Sequence, residues 1–238
     1  MNALPPTIRA ILFDKDGTLL DYHRSWGPIN RRAALLAAAG DADLAAHLLK
    51  LGGMDAATGI TRADSLLGSG NTREIAEAWR QAGAPPDQET LVSRLDALFL
   101  EGADEAVPVT DLPALFGRLS ASGLRLGIAS MDGERAIRRF AERTGMAPHV
   151  DFVAGYDSGY GVKPSGGMLT AFATAVAIAP ANIAVVGDNL HDMEMGRAGG
   201  AILRIAVLSG TGTRETLTDN CDLCIDHIGE LDRLLVDV

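Results

Sequence analysis

The sequence predicts an α/β protein: a doubly wound parallel sheet with a helical cap domain inserted after the first strand. Three observations predict it. A short apolar run, Ile8 and Ala10–Phe13, stands near the start and ends at two aspartates. From residue 108 onward, helical and strand-like patterns alternate, which implies parallel strands joined by crossover helices. Between residues 22 and 106 only helical patterns appear, so the first strand is separated from the rest of its sheet.

The first run reads as a buried parallel strand, because a short continuous apolar stretch suits a strand covered on both faces. Later strands are expected at Leu124–Ala129, Phe152–Ala154, Ile183–Val186, Ala201–Val207 and, weakly, Asp222–Ile225. Helices are expected over Leu112–Ser122, with Asp111 as cap, and over Glu134–Thr144, with Asp132 as cap. Two more are expected over Gly166–Ile178, capped by Ser165, and over Asn189–Ala198. A final helix covers about Ile228–Val236. In the insertion, helices read at Ile29–Ala39, Ala42–Leu51, Arg73–Ala82 and Gln88–Gly102. Gly40, Gly52-Gly53, Gly68-Ser69-Gly70 and Pro85-Pro86 break them. The expected division is a core of residues 1–21 plus 107–238 and a cap of residues 22–106. Because the insertion leaves directly after the first strand, the cap is expected to stand over that strand's carboxyl end.

Composition narrows the function. A chain of 238 residues, 47% hydrophobic, can bury a large core. No apolar stretch approaches the ~20 residues that a membrane span needs. The start, Met1-Asn2-Ala3-Leu4, lacks a basic and apolar leader, so a cytoplasmic location is expected. A formal charge of −10 argues against nucleic acid or an anionic membrane as partner. The two cysteines, Cys221 and Cys224, cannot complete a zinc site alone and are expected in a short strand, on opposite faces.

Chemistry-bearing residues gather where strands end. Asp14 and Asp16 follow the first strand, at the edge where open α/β sheets bind ligands. Buried like charges require a cation. Ser130 ends the second strand, where its hydroxyl can meet an oxyanion beside a helix start. Lys163 is one of three lysines, placed before Pro164 at a helix entry. Asp188 ends a later strand, and Asp192 lies four residues on, on the same face of the helix that opens there. Hard carboxylate oxygens select Mg²⁺, which also binds substrate phosphate.

Together these motifs resemble the haloacid dehalogenase superfamily, in its phosphoglycolate phosphatase-like branch. The first motif is Asp14–Thr18, the second Ser130, the third Lys163 and the fourth Gly187–Asp192. The resemblance covers nearly the whole chain, including the position of the helical cap. It implies that Asp14 is the nucleophile and Asp16 the acid/base. It further implies that Asp14, the Asp16 backbone carbonyl and Asp188 hold Mg²⁺, with Asp192 in support, and that Ser130 and Lys163 bind the phosphoryl oxygens. The expected substrate is a small phosphorylated metabolite. The presence of Asp16 favours phosphoester chemistry, since dehalogenases and phosphonatases commonly lack it. One departure stands out: Met131 follows Ser130, where many relatives place Asn. In the cap, Arg62 or Arg73 is expected to contact an anionic substrate, and Lys50 to extend from its helix into solvent. A phosphomutase is the nearest alternative. A receiver-like phospho-acceptor and a silent binding protein on the same fold are further ones.

Overall fold

A computed structural model describes Pro5 and residues 7–231 of the chain. Six parallel strands form one sheet: β1 (Ala10–Phe13), β2 (Arg125–Ala129), β3 (Phe152–Ala154), β4 (Ile183–Gly187), β5 (Leu203–Val207) and β6 (Leu223–Ile225). Their order is β3-β2-β1-β4-β5-β6. The direction of winding reverses between β1 and β4. Crevices at such reversals are the ligand sites of open α/β sheets. There Phe13 pairs with Val186, and the Asp14 N–H donates to the Val186 carbonyl at 2.8 Å. This register sets Asp14 beside the end of β4.

Helices α1 (Tyr22–Ala37), α2 (Ala42–Leu51), α3 (Leu66–Ser69), α4 (Thr72–Gln81) and α5 (Gln88–Gly102) intervene between β1 and the rest of the sheet. Helices α6 (Leu112–Ala121), α7 (Glu134–Thr144), α8 (Gly167–Val176), α9 (Leu190–Gly199) and α10 (Arg214–Leu217) alternate with the later strands. Strand residues alternate between the faces of the sheet. Ile11 and Phe13 pack with Phe116 of α6 and Phe140 of α7. Ala10 and Leu12 pack with Leu169 and Phe172 of α8 and Met195 of α9. The sheet is thus covered on both sides, which explains the unbroken apolar runs of β1 and β4.

The insertion folds by its own signals. Each of its helices starts at a side chain that accepts backbone N–H groups: Asp21, Asp41, Ser65, Asn71 and Asp87. Each such cap is worth about 1 kcal/mol. Trp79 is wholly buried, and its indole N–H donates to Leu48 O at 3.1 Å. The apolar interior of the insertion, including Trp26, Leu48, Trp79 and Leu95, is continuous with the core under β1. Arg143 of α7 donates to the carbonyls of Ala103 and Ala106, and Arg139 pairs with Asp104. These contacts anchor the return of the chain from α5.

Several elements differ from expectation. Helix α1 begins at Tyr22, seven residues before the expected Ile29, because Asp21 caps it and Pro28 is tolerated inside it. The expected break at Gly68-Ser69-Gly70 is in part the short helix α3, capped by Ser65. Asp132 does not cap α7. The N-cap is Gly133 without a side-chain bond, and Asp132 turns instead to Lys15. Ser165 does not cap α8, whose N-cap is Gly166. Cys221 precedes β6, and only Cys224 lies within it; both are free thiols. Residues Ile228–Glu230 form a 3₁₀ turn that ends at Leu231, and residues 232–236 of the expected final helix lie outside the described residues. Lys50 is exposed at the end of α2, as expected.

Candidate active site

Asp14, Asp188 and Asp192 come together at the junction of β1 and β4, all three buried. One carboxylate oxygen from each lies within 4.8 Å of the others. Lys163 is buried among them, and its Nζ donates to Asp14 Oδ1 and Asp192 Oδ1, both at 2.6 Å. The peptide bond between Lys163 and Pro164 is cis. Asp192 is the third residue of α9, where its Oδ2 accepts the Asn189 N–H at 3.1 Å and closes a capping box. Asp188 Oδ2 accepts the Thr211 N–H at 2.7 Å.

Two glycines make this approach possible. A Cβ on Gly17, which has φ +89°, would lie 2.6 Å from Asp188, and a Cβ on Gly187 would lie 2.3 Å from Asp192. Neither position admits a side chain without moving a carboxylate.

The cluster carries more negative charge than one lysine offsets. Burial, opposed by Lys163 and reinforced by Asp192 and Asp16, pushes the Asp14 carboxyl up from 3.8 to about 7. Burial also holds Asp188 well above the ordinary carboxylate range, with Asp14 and Asp192 adding to the effect. Lys163 is held above its ordinary value; burial works against its charge, but Asp14 and Asp192 outweigh it. Asp14 Oδ2 is buried with no hydrogen-bond partner. An orphaned carboxylate oxygen facing two further carboxylates fits a hard divalent cation.

A pH dependence follows for the metal-free protein. Between pH 4 and 7 the folded chain keeps a proton on Asp14 that the unfolded chain has lost. Stability in EDTA should therefore fall as pH rises through that window, by on the order of 4 kcal/mol. Saturating Mg²⁺ should flatten the slope. Denaturant midpoints measured across pH, with and without the ion, check this; a flat profile in EDTA would count against it.

Asp16 stands apart from the three clustered carboxylates. Its Oδ1 accepts the Trp26 indole N–H at 2.7 Å and lies 2.8 Å from Lys15 Nζ. Its Oδ2 accepts the Ser130 hydroxyl at 3.1 Å, and Ser130 Oγ in turn accepts the Asp132 N–H at 3.1 Å. Lys15 is buried and also bonds Asp132 Oδ2 at 2.7 Å. Its ammonium lies 5.5 Å from the Trp26 ring and 5.8 Å from that of Phe140. Burial disfavours this charge, yet Asp132 and Asp16 hold the lysine above its ordinary pKa.

The cleft is lined by Asp14, Asp16, Ser130, Lys163, Asp188 and Asp192, all six residues expected from the strand ends. The insertion closes it with Tyr22 and Trp26 of α1, Gly68–Gly70 around α3, Ile75 of α4 and Phe99 of α5. Arg62 and Arg73 are not among the lining residues. Arg62 is exposed, and Arg73 points outward to Glu89 at 3.3 Å. Sequence reasoning missed Lys15, Asp132 and Trp26. The signal for Lys15 was its place between two strand-end aspartates, where a lysine is buried only if paired.

Residues 8–200 match the family described as haloacid dehalogenase-like hydrolase, and the chain belongs to that family of hydrolases. Among curated relatives, the phosphoglycolate phosphatase of Chromobacterium violaceum is 31% identical over 115 residues. That match covers 48% of this chain, and the chain spans about half, 50%, of that relative's length. The phosphoglycolate phosphatase of Escherichia coli (strain K12) is 30% identical over 208 residues, covering 81% of this chain and 79% of that protein. Among solved structures, CbbY from Rhodobacter sphaeroides in complex with phosphate superposes with a TM-score of 0.70 at 20% identity, covering 94% of this chain and 96% of that one. No helix among the described residues is long and apolar enough to cross a membrane.

Proposed function

We propose that the chain is a Mg²⁺-dependent phosphatase that hydrolyses a small phosphorylated metabolite through an aspartyl-phosphate on Asp14. The observation that carries the reading is the buried cluster of Asp14, Asp188 and Asp192 around Lys163. The phosphatases that resemble four-fifths of the chain support it. Residues 22–106 serve as the cap and residues 1–21 plus 107–238 as the catalytic core.

Asp14 attacks phosphorus in line with the leaving oxygen. Phosphoryl transfer asks the protein chiefly for positioning and for neutralisation of the equatorial oxygens. Lys163 has three N–H donors and spends two on Asp14 and Asp192, so the third is free for a phosphoryl oxygen. When Asp16 Oδ2 carries its own proton, the Ser130 hydroxyl is released from that oxygen and can donate to a phosphoryl oxygen instead. Asp14, Asp188 and the Asp16 backbone carbonyl would hold Mg²⁺, with Asp192 in support; when bound, the ion neutralises charge on the phosphoryl group. Asp16 Oδ1 is committed to Trp26 and Lys15, so proton transfer runs through Oδ2, the oxygen shared with Ser130. From there Asp16 protonates the leaving alcohol, then takes a proton from the water that cleaves the phosphoenzyme.

The protein should release inorganic phosphate from p-nitrophenyl phosphate in Mg²⁺ and lose that activity in EDTA. Asp16→Asn should lower turnover about 100-fold or more while a phosphoenzyme still accumulates. Normal turnover by that variant would refute the acid/base role. Isomerised sugar phosphate without free phosphate would instead establish a mutase.

A further inference from the structure

We propose that the site prefers an uncharged, largely apolar leaving group, so that its substrates are phosphomonoesters without a second anion. This rests on the phosphatase reading above and names its substrate class.

The charge of the cleft carries the first part of the argument. Of the lining residues only Lys163 and His191 can be cationic. Lys163 is already bonded to two carboxylates. Lys15 lies behind the lining and is divided between Asp16 and Asp132. With Asp16 carrying the proton it will give to the leaving group, Lys163 and one divalent cation no more than balance Asp14, Asp188 and Asp192, and a phosphoryl dianion then leaves the cleft negative. A carboxylate or second phosphate on the leaving group would enter the negative field of this cleft and be repelled by it. The cap arginines that would relieve it, Arg62 and Arg73, lie outside the lining.

The wall facing the phosphoryl site carries the second part. Tyr22, Trp26, Leu67, Ile75 and Phe99 are all at most 9% exposed and line the cap side. Trp26 and Phe99 meet edge to face at 5.0 Å between centroids. Such a surface gains by covering apolar area. One neutral polar group stands beside it: Asn30, 1% exposed, lines the cleft next to the Tyr22 hydroxyl. That group suits a hydroxyl, ether or carbonyl oxygen on the leaving alcohol.

The test is kcat/KM for three probes in Mg²⁺: benzyl phosphate, 2-methoxyethyl phosphate and phosphoglycolate, the last two similar in size and different in charge. Both uncharged esters should exceed phosphoglycolate by about tenfold or more at low salt, and added salt should narrow the gap. Ile75→Arg should raise phosphoglycolate relative to benzyl phosphate by about fivefold or more. If that variant does not fold, the salt dependence of the wild type decides alone. Equal or better turnover of phosphoglycolate by the wild type overturns the proposal and leaves the phosphatase reading standing. No phosphate released from any of the three overturns the phosphatase reading itself.

Discussion

Asp14→Asn should abolish turnover, lowering kcat by about 10⁴-fold or more, the scale on which loss of a catalytic nucleophile is felt. The substitution keeps the shape of the side chain and the bond to Lys163 through the amide oxygen. It removes a carboxylate whose charge is disfavoured by burial. The metal-free variant should therefore be as stable as the parent at pH 7, or more so, and its stability should lose Asp14's share of the decline between pH 4 and 7, while the share due to buried Asp188 remains. Activity and folding are thus expected to move in opposite directions, which separates a catalytic role from a structural one. Phosphate release at the parental rate would remove Asp14 as nucleophile. A large drop in stability at pH 7 would show that its charge, contrary to the burial argument, supports the fold.

Lys15→Met should cost about 3–5 kcal/mol of folding stability, the range found when one partner of a buried ion pair is removed. Lys15 is 2% exposed and Asp132 7% exposed, so the variant leaves the Asp132 carboxylate buried with only the Gly133 N–H at 2.8 Å against Oδ1. The lysine's contacts with the Trp26 and Phe140 rings are lost as well, each worth ~1 kcal/mol or more when desolvated. Asp132→Leu in the same background should recover part of the loss, because it removes the stranded charge. Urea midpoints of the parent, the two single variants and the double variant measure this coupling. Losses below ~1 kcal/mol for Lys15→Met would show that solvent reaches the pair.

Most of the sheet and the strand ends that meet at the cleft were legible in the sequence, because parallel strands buried on both faces read as unbroken apolar runs. Their ends fall at residues with few structural reasons to be there. Asp14, Ser130, Lys163, Asp188 and Asp192 were found in this way. The insertion was legible only as helices. The first two turns of α1 were missed because Tyr22–Pro28 carries a glycine and a proline, which local propensity reads as loop. The Asp21 cap and the packing of Trp26 on Phe99 overrode that preference. Losing those seven residues hid Tyr22 and Trp26 from the site. Asp132 was misread for a related reason: a carboxylate just before a helix ordinarily caps it, and only the tertiary fold brings Lys15 within reach. Arg62 and Arg73 show the converse. Loop position suggested substrate contact, while the fold turns both toward solvent.

The hydrogen bond from the Trp26 indole to Asp16 bears on how such proteins can be recombined. Its donor belongs to the insertion and its acceptor to the loop after β1, ten residues earlier in the chain. The insertion is therefore not an interchangeable attachment that alters only which molecule is admitted. A chimera built by grafting a foreign insertion at residue 22 would replace one of the groups that hold the Asp16 carboxylate. Retaining the first two turns of α1, and placing the junction after them, preserves that contact in any such exchange.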